Sequence, residues 1–423
     1  MDFQTNIPFR GQWDVVVVGA GTAGVFAAIS AARTGAKTLL IEKNGMPGGT
    51  MTAANVNFPG LFFAWGKQII DGPCWEAIKR CEALGGAVIP RMQYKPERHW
   101  HEQILLNRFL YTAVLEQLLA EAGVTVLLHT MLSAAEETDD GITVICTGKE
   151  GLWAASGAAL VDATGDADAT GMLGYRREAR AACQPATLMN HIRGYSIAQI
   201  DRDTVMRLHR EAVAAGTLQP FDFQYGDPYG TLVNETIKMH IPCAGAADST
   251  AKTTLEQTAR ATMLRMYRFL KSIPGLEQLE VDSVAEECGV RESYRIIGEK
   301  QITAQDYLRG TVYDDAVCYC FYPIDLHTEE GISQQFLKEG VVPAIPYGAL
   351  IPKNSKRIIA AGRCAAGDAE ANSAYRVQAA CMAMGQAAGA AAALLSKTAG
   401  RAIDLPIQNI RTALHALGAI VPE

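Results

Sequence analysis

Residues 13–42 read WDVVVVGAGTAGVFAAISAARTGAKTLLIE, and they carry the strongest structural signal in the chain. A β-branched run ends at Gly19, a helical pattern covers residues 23–34, and a second buried-strand pattern ends at Glu42. The glycines therefore lie in the turn between a strand and a helix, whose N-terminus presents free N–H groups. This order predicts a Rossmann-like, nucleotide-binding β-α-β unit.

The three glycines of this turn and the acid that follows it each have a physical role. Gly19 permits the tight turn, Gly21 lets a pyrophosphate approach the backbone, and Gly24 lets the helix and strand lie close together. Glu42 can accept hydrogen bonds from ribose hydroxyls, and its charge disfavours a 2′-phosphate. The alternative is a glycine-rich turn with a purely structural role.

A second glycine-rich loop follows directly, with the sequence KNGMPGGT at residues 43–50. FAD binds in an extended form whose phosphates touch two loops, whereas a nicotinamide enzyme does not need a second glycine site. The two loops together therefore favour FAD. The alternative is an ordinary Gly-Gly turn.

Composition narrows the class of protein. The chain has 423 residues, a net charge of −7 and 49% hydrophobic residues, which predicts a sizeable core and argues against nucleic-acid or anionic-membrane partners. The most membrane-like stretch, residues 377–395, is rich in Ala and Gly and is predicted to be a core helix. The ten cysteines form no CxxC or CxxxxC pair, so we expect reduced thiols and a cytoplasmic location.

The order of the patterns predicts an α/β protein: a Rossmann-like FAD domain with a parallel sheet and a β-meander, plus an inserted α+β substrate domain. Because the glycine motifs lie near both chain ends, we expect a discontinuous FAD domain over residues 1–60, 102–175 and 345–423. The substrate or cap domain would then comprise residues 61–101 and 176–344.

Several shorter elements are also predicted. A long helix is expected over residues 104–122, ended by Gly123. Separate strands are expected at residues 152–155 and 159–163, and a short helix at residues 333–338.

Four stretches resemble the FAD-dependent oxidoreductase family that is related to fumarate reductase flavoproteins. They are the first glycine turn, EKNGMPGGT at 42–50, DATGDAD at 162–168 and AAGRCAAGDAEANSAYRVQAACMAMGQAAG at 360–389. Three stretches of the middle region are similar to the same family: GVRESYRIIGEKQIT at 289–303, FYPIDLH at 321–327 and IPYGALIP at 345–352. The resemblance implies a glutathione-reductase-type FAD fold.

The resemblance also implies a set of FAD contacts. The backbone of Val126 would meet the adenine, and the N-terminus of the last long helix would point at the flavin pyrimidine ring. The implied contact residues are Gly19, Gly21, Ala23, Gly24, Glu42, Lys43, Gly48, Gly49, Thr50, Val126, Ala163, Thr164, Gly165, Gly362, Arg363, Val377 and Gln378.

The chain departs from that family group in two respects. Residues 42–54 contain no histidine of the kind that bonds covalently to flavin in succinate dehydrogenase-type proteins, so FAD is expected to be non-covalent. Arg363 stands where fumarate reductases usually have Glu, so the contact with the ribityl chain is expected to differ.

Five residues are candidates for the substrate site. Arg291, Tyr294 and Arg295 form a dense polar cluster with Glu292, which suits an oxyanion or, alternatively, a salt-bridge network between domains. His327 follows an apolar stretch and could act as an acid or base. Arg376 matches an arginine at the substrate edge of the flavin in fumarate reductases.

The other histidines are weaker candidates. His191 and His240 have no supporting motif, and His99 and His101 lack an Asp or Cys ligand at matching spacing, so no metal site is expected.

The sequence therefore predicts an enzyme that transfers a hydride between non-covalent FAD and a small anionic or hydroxylated substrate. A flavin monooxygenase and a non-catalytic FAD-binding electron-transfer subunit are the alternatives. The missing WxWxIP pattern argues against a halogenase, and the missing CxxxxC pair excludes a disulfide reductase. Substrate identity, reaction direction, electron acceptor or donor, and homo-oligomerisation stay open.

Overall fold

A computed structural model describes residues 6–90, 103–139, 141–180, 183–223, 226–242, 248–328 and 331–422. The strands are β1 (Phe9–Val18), β2 (Thr38–Ile41), β3 (Phe63–Ala64), β4 (Lys67–Gln68), β5 (Thr125–Leu127), β6 (Met131–Glu137), β7 (Ile142–Gly148), β8 (Gly151–Asp162), β9 (Arg177–Glu178), β10 (Asn190–Arg193), β11 (Thr236–Ile237), β12 (Glu280–Val284), β13 (Arg295–Ile296), β14 (Ala316–Tyr319), β15 (Ile324–Thr328), β16 (Gly331–Gln335), β17 (Ala344–Pro346) and β18 (Ile358–Ala360). The helices are α1 (Thr22–Arg33), α2 (Pro73–Ala83), α3 (Arg108–Glu121), α4 (Asp168–Met172), α5 (Arg202–Ala214), α6 (Pro228–Val233), α7 (Ser249–Lys271), α8 (Ala304–Arg309), α9 (Ala369–Tyr375), α10 (Gln378–Leu395) and α11 (Ile407–Ala416).

The main sheet has the strand order β5-β2-β1-β8-β7-β6, and β18 pairs with the C-terminal part of β8. Strands β5, β2, β1, β8 and β18 are parallel to one another. Strand β7 is antiparallel to both β8 and β6 and forms a meander with them. Four motif residues, Gly19, Glu42, Ala163 and Gly362, lie just beyond the carboxyl ends of β1, β2, β8 and β18. This edge is where ligands bind in open parallel sheets.

Alternate residues of β1 contact different layers, as expected for a strand buried on both faces. Val15 and Val17 lie in a core shared with α1, α3 and α10. Val16 and Val18 lie in a second core, together with Val144 of β7 and other residues of the meander. One face of the parallel strands is therefore covered by helices, and the other faces a core that it shares with residues of the meander.

Helices α1 and α10 lie in direct backbone contact. A Cβ atom at Gly385 would lie 2.1 Å from the carbonyl oxygen of Ala23, and one at Gly389 would lie 2.0 Å from that of Ala27. The four-residue spacing of the two glycines puts both on the same face of α10. The two glycines thus allow a helix near the C-terminus to lie against the backbone of a helix near the N-terminus.

The middle of the chain builds a cap with its own core. Strands β11, β10 and β12 form an antiparallel sheet, and α7 contributes Met266 and Leu270 to the core beside it. Val56 and Phe58, from the loop after the second glycine motif, lie against this core. The cap therefore rests directly over the loop that follows the second glycine motif.

The cores are distributed differently from the predicted division into domains. Ile70 and Ile78, from the 61–101 segment, lie in the main core with α10, as do Tyr307 and Phe321 from the 176–344 segment. Among the described residues, the buried members of the separate core lie between Ala186 and Cys288.

Three local predictions are wrong. The strands expected at residues 152–155 and 159–163 are one strand, β8, which ends at Asp162 and pairs with β1 along most of its length. Residues 333–338 begin in strand β16, which forms a hairpin with β15, although a helix was expected. Helix α3 begins at Arg108, later than expected, because the Asn107 side chain caps its first turn.

Helix α10 has the length and composition of a membrane span, but 89% of its apolar window is buried inside the protein. Its Gly385 and Gly389 lie against α1, so α10 is a core helix, as its Ala and Gly content predicts.

Candidate active site

The first glycine turn requires glycine at two positions. Gly19 has a φ angle of 93°, and a Cβ atom there would lie 2.6 Å from the carbonyl oxygen of Ala163. A Cβ atom at Gly24 would lie 1.7 Å from the carbonyl oxygen of Gly19. Gly21 is the N-cap residue of α1 and offers no side chain to the first N–H groups of the helix. These N–H groups are available to a phosphate.

The second glycine loop lies against the first turn. The backbone N–H of Gly48 donates to the carbonyl oxygen of Ala20 at 2.7 Å. A Cβ atom at Gly49 would lie 2.7 Å from the Cα atom of Gly21. The two loops thus form one cradle, which is the arrangement that a dinucleotide touching both of them requires.

Glu42 holds the turn in shape. Its carboxylate accepts hydrogen bonds from the backbone N–H groups of Ala20 at 2.7 Å and Asn44 at 2.8 Å, each through a different oxygen. Burial raises the pKa of Glu42, and the two backbone hydrogen bonds act in the opposite direction. Each oxygen retains a further lone pair, so the carboxylate can still accept from a ribose hydroxyl.

A cavity of about 1180 Å³ runs along the carboxyl edge of the sheet and under the cap. This volume exceeds that of most single small-molecule pockets, so it has room for a dinucleotide and a substrate. The expected cofactor residues that line it are Gly19, Gly21, Ala23, Glu42, Lys43, Gly49, Thr50, Ala163, Thr164, Gly165, Gly362, Arg363, Val377 and Gln378. Gly24 and Gly48 are not lining residues, and each instead supports the shape of its loop.

The expected adenine contact of Val126 is not supported. Val126 pairs with Leu40 inside the parallel sheet, and the cavity is lined four residues later by Thr130 and its neighbours. The chain turns at His129, whose φ angle is 51°, and Thr130 then donates its N–H to the carbonyl oxygen of Glu42 at 2.8 Å. This bond brings Thr130 beside Glu42.

At the other end of the cavity, Gln378 connects three segments. Its Nε2 atom donates to the carbonyl oxygen of Val56 at 2.6 Å, and its Oε1 atom accepts from the Thr22 hydroxyl at 3.3 Å. Val377, the N-cap residue of α10, has no side chain that could cap the helix. The residues present therefore fit FAD, and neither α1 nor α10 has a side-chain cap at its N-terminus.

Asp166 joins four parts of the chain at one buried carboxylate. It accepts from Ser293 at 2.5 Å, from Arg363 at 2.5 Å and from Lys252 of α7 at 3.0 Å. Burial raises its pKa, but the nearby Arg363 and Lys252 charges outweigh this and lower it overall. The Arg363 side chain also bonds the carbonyl oxygens of Gly165 and Val290, so it fixes the loops around the cavity.

Beneath the cap, three side chains form a hydrogen-bonded row along the cavity. Oδ2 of Asp325 lies 2.9 Å from Nε2 of His327, and Nδ1 of His327 lies 3.2 Å from Nε2 of His240. Asp325 and His327 share one face of β15, and Gln334, opposite Asp325 in β16, donates to its Oδ1 atom at 2.9 Å. We call Asp325, His327 and His240 the relay.

The protonation states of the relay follow from its surroundings. The pKa of Asp325 is about 2, because burial, which raises it, is outweighed by the hydrogen bond from His327. Burial lowers the pKa of His327 to about 4 and that of His240 to about 3, and Arg291 adds to both effects. At neutral pH the relay therefore contains one carboxylate and two neutral imidazoles.

These states fix the positions of the protons. The ionised Asp325 requires a proton on Nε2 of His327, so Nδ1 of His327 accepts from Nε2–H of His240. Nδ1 of His240 then carries a lone pair and has no hydrogen-bond partner among the described residues. His240, a weak candidate from the sequence, thus forms the end of the relay that can take a proton.

Arg376 lies beside the relay. Its guanidinium donates to Oε1 of Gln184 at 3.2 Å and to the carbonyl oxygen of Asp325 at 3.5 Å, while its Nε atom is buried without a partner. The same Gln184 oxygen accepts from the backbone N–H of His327 at 3.1 Å. Arg291 also lines the cavity and donates to the carbonyl oxygen of Pro185 at 2.6 Å.

Tyr294 and Arg295 do not line the cavity. Arg295 is buried and forms ion pairs with Glu292 at 2.9 Å and Glu178 at 3.4 Å, which matches the structural alternative for this cluster. The Tyr294 ring lies 4.0 Å from the guanidinium carbon of Arg177.

Of the other histidine candidates, only His191 lies in the described residues. His191 bonds Asn55 and Thr236 at the edge of the cap sheet. His99 and His101 lie outside the described residues. No group of three metal-ligating side chains occurs in the described ranges.

Sequence reasoning missed three functional candidates. Asp325 could have been found, because strand alternation places residues two apart on the same face. Gln184 and Gln334 come from other parts of the chain, and the helix expected at residues 333–338 concealed the position of Gln334.

The two-loop cradle at a parallel sheet edge, with a cap closing over it, defines a flavin-nucleotide oxidoreductase fold. The chain belongs to the FAD dependent oxidoreductase family, whose model matches residues 14–414. It is therefore an FAD-dependent oxidoreductase, and FAD is its cofactor.

Curated relatives match only part of the chain. A thioredoxin reductase from Listeria monocytogenes is 43% identical over 61 residues, which cover 14% of this chain and 19% of that protein. A fumarate reductase (cytochrome) from Shewanella frigidimarina is 48% identical over 65 residues, which cover 14% of this chain and 11% of that protein. These short matches leave the reaction and the substrate open.

Solved structures resemble the chain over most of its length. The OxyS anhydrotetracycline hydroxylase from Streptomyces rimosus has a TM-score of 0.47 at 14% identity and covers 96% of this chain and 66% of its own. The flavin-dependent brominase Bmp2 has a TM-score of 0.46 at 16% identity, and the match covers 96% of this chain and 83% of the brominase chain. Similarity at this level carries no information on the reaction.

Proposed function

We propose that the protein is a dehydrogenase or reductase that transfers a hydride between non-covalently bound FAD and a small anionic organic substrate. The observation that carries the proposal is the relay of Asp325, His327 and His240, which lies in the same cavity as the FAD cradle. Bound FAD supplies a ring that accepts or gives up the hydride.

A hydride transfer that oxidises an alcohol or amine also releases a proton, and the chain needs a group to accept it. The lone pair of His240 Nδ1 is suited to this, since His327 holds the other ring nitrogen of His240 as a donor. The ionised Asp325 stabilises the positive charge that then develops on the two rings. In the reverse direction the protonated relay returns the proton to the substrate.

Two arginines favour an anionic substrate. Arg291 and Arg376 line the cavity, and both lower the pKa of His327 by their charge. His240, the proton acceptor, is a weak base in the absence of a ligand, because burial and the charge of Arg291 lower its pKa to about 3. An anion placed between the arginines and the relay would offset their charge, raise the histidine pKa values and improve the base. Binding of the correct substrate would thus activate the relay.

To test the proposal, the FAD-loaded protein is mixed without oxygen with hydroxy acids, amino acids, sugars and NAD(P)H, and the flavin absorbance is recorded over time. The proposal expects rapid bleaching by at least one anionic substrate without oxygen. Reduction by NAD(P)H alone, followed by oxygen incorporation into an added organic compound, would instead identify a monooxygenase. Bleaching by none of these, with electrons accepted only from a partner protein, would identify an electron-transfer subunit.

A further inference from the structure

The cap contributes a cation to the cavity that the site described so far does not use. Lys238 lines the cavity two residues before His240 of the relay. Its ammonium lies 4.7 Å from the centre of the Phe58 ring. In the part of the chain that the structure describes, Lys238 has no hydrogen bond or ion pair to a side chain. Burial lowers its pKa. A cation in this position gains most from a ligand of opposite charge.

The local chain direction places Lys238 beside the proton-accepting histidine. Residues 237, 239 and 241 are buried in the cap core, whereas Lys238 and His240 between them are partly exposed. Residues 238, 239 and 240 all line the cavity. The two side chains therefore leave the same face of an extended segment. Two residues of extended chain place their Cα atoms about 6–7 Å apart, so the two side chains belong to the same wall of the cavity.

Phe58 locates this position within the cavity. Its backbone carbonyl accepts from Nε2 of Gln378, the first residue of α10, at 3.3 Å. Its ring lies against the cap core. Phe58 therefore places Lys238 where the cap meets the N-terminus of α10, which comes directly after Arg376 and Val377 in the sequence.

We propose that Lys238, beside the Phe58 ring, binds a carboxylate of the substrate, while His240 Nδ1 exchanges a proton farther along the same wall of the cavity. The proposal rests on the proposed function, because it assigns a part of the same substrate. It predicts a substrate whose carboxylate is separated from the reacting carbon by a short spacer. An aromatic or flat apolar group next to the carboxylate would gain contact with the Phe58 ring.

The test uses the oxidised FAD-loaded protein and two carboxylate probes, acetate and benzoate, with binding measured by calorimetry. We expect Lys238→Met to weaken benzoate binding roughly 10- to 150-fold, as for loss of a charge-assisted contact. Lys238→Arg should recover most of this affinity. Lys79→Met is the matched control, because Lys79 lies on α2, pairs with Glu82 and is outside the cavity. Acetate should bind more weakly than benzoate.

Three results would overturn the subsite. The first is an unchanged benzoate affinity in Lys238→Met. The second is loss of FAD from that variant, which would make Lys238 a cofactor residue. The third is failure of the unsubstituted protein to bind either probe. None of these measurements needs turnover. If benzoate binding depends on Lys238 but no substrate bleaches the flavin, the subsite stands and the hydride-transfer proposal fails.

Discussion

His327 and His240 meet edge to face, with ring centres 5.1 Å apart and planes at 84°, so that the Nδ1 atom of one faces the Nε2 atom of the other. Neither ring can change its proton position without changing the other. The two histidines, from β15 and from the chain after β11, therefore act as one titrating unit that spans the main core and the cap.

His240→Gln should slow flavin reduction by substrate about 10²- to 10⁴-fold, the usual contribution of a positioned acid or base. FAD content should stay near one per chain, because His240 contacts none of the glycine loops. Stopped-flow absorbance under anaerobic conditions measures the rate. His415→Gln, at an exposed position on α11, is the control. An unchanged rate in His240→Gln would remove His240 from the proton path.

Asp325→Asn should slow the oxidative direction by about 10²- to 10⁴-fold, because it reverses the protons of the relay. Asp325 accepts from both His327 and Gln334, and an amide can accept through only one of its two atoms. If the amide NH₂ faces His327, Nε2 loses its proton and His240 Nδ1 becomes a donor. The kcat for substrate oxidation checks this, and normal kcat with normal FAD content would contradict it.

The free energy of unfolding should fall as the pH drops from about 6.5 to about 4. In this window an unfolded histidine binds a proton, whereas burial keeps His327 neutral until its lower pKa of about 4. The contribution of His327 is about 3 kcal/mol, at roughly 1.4 kcal/mol per pKa unit. Urea unfolding at pH 7 and pH 4.5 should show a smaller difference for His327→Gln than for the unsubstituted protein. Equal differences would place His327 in a solvated environment.

Glu42→Gln should weaken FAD binding roughly 10- to 150-fold. The sequence alone predicts that Glu42→Ala weakens FAD without disturbing the fold, but the carboxylate also accepts from Ala20 and Asn44. An amide can serve only one of these N–H groups, so the apoprotein should also lose about 1–3 kcal/mol of unfolding free energy. FAD titration by calorimetry and urea unfolding measure the two effects, with Glu339→Gln as an exposed control. An unchanged FAD affinity would refute the ribose contact.

Gly385→Ala should destabilise the protein by about 1–3 kcal/mol, the typical cost of inserting a methyl group into a filled contact. The new Cβ would lie 2.1 Å from the Ala23 carbonyl oxygen, so α10 must move away from the first glycine turn. FAD content should fall with stability. Gly400→Ala is the matched control, because its added Cβ meets nothing within 4 Å. Equal melting temperatures for the two variants would rule out this contact.

Much of the cofactor site is predictable from the sequence, because glycine turns and buried strands are local signals. Gly19, Gly49 and Gly362 were expected in the site from short motifs, and all three line the cavity. Val126 was also expected there, but the cavity is lined by Thr130 instead, after a turn at His129 that no local pattern reveals.

The substrate end is less predictable, because it is assembled from distant segments. Gln184 joins Arg376 to His327 through one oxygen, although the three residues belong to separate stretches of the sequence. Lys238 and His240 become candidates only when the alternating burial of the residues around them is known. Side-chain type identifies such residues as candidates, and only the fold brings them together.

The contact between α1 and α10 also constrains when the protein can acquire its cofactor. Thr22 and Gln378, which are hydrogen-bonded beside the cradle, are 356 positions apart in the chain. During synthesis the first glycine turn leaves the ribosome long before α10 exists to support it. A nascent chain therefore holds only half of the site, and flavin uptake has to await translation of the last long helix. Retained yellow colour is thus a readout of completed synthesis as well as of folding.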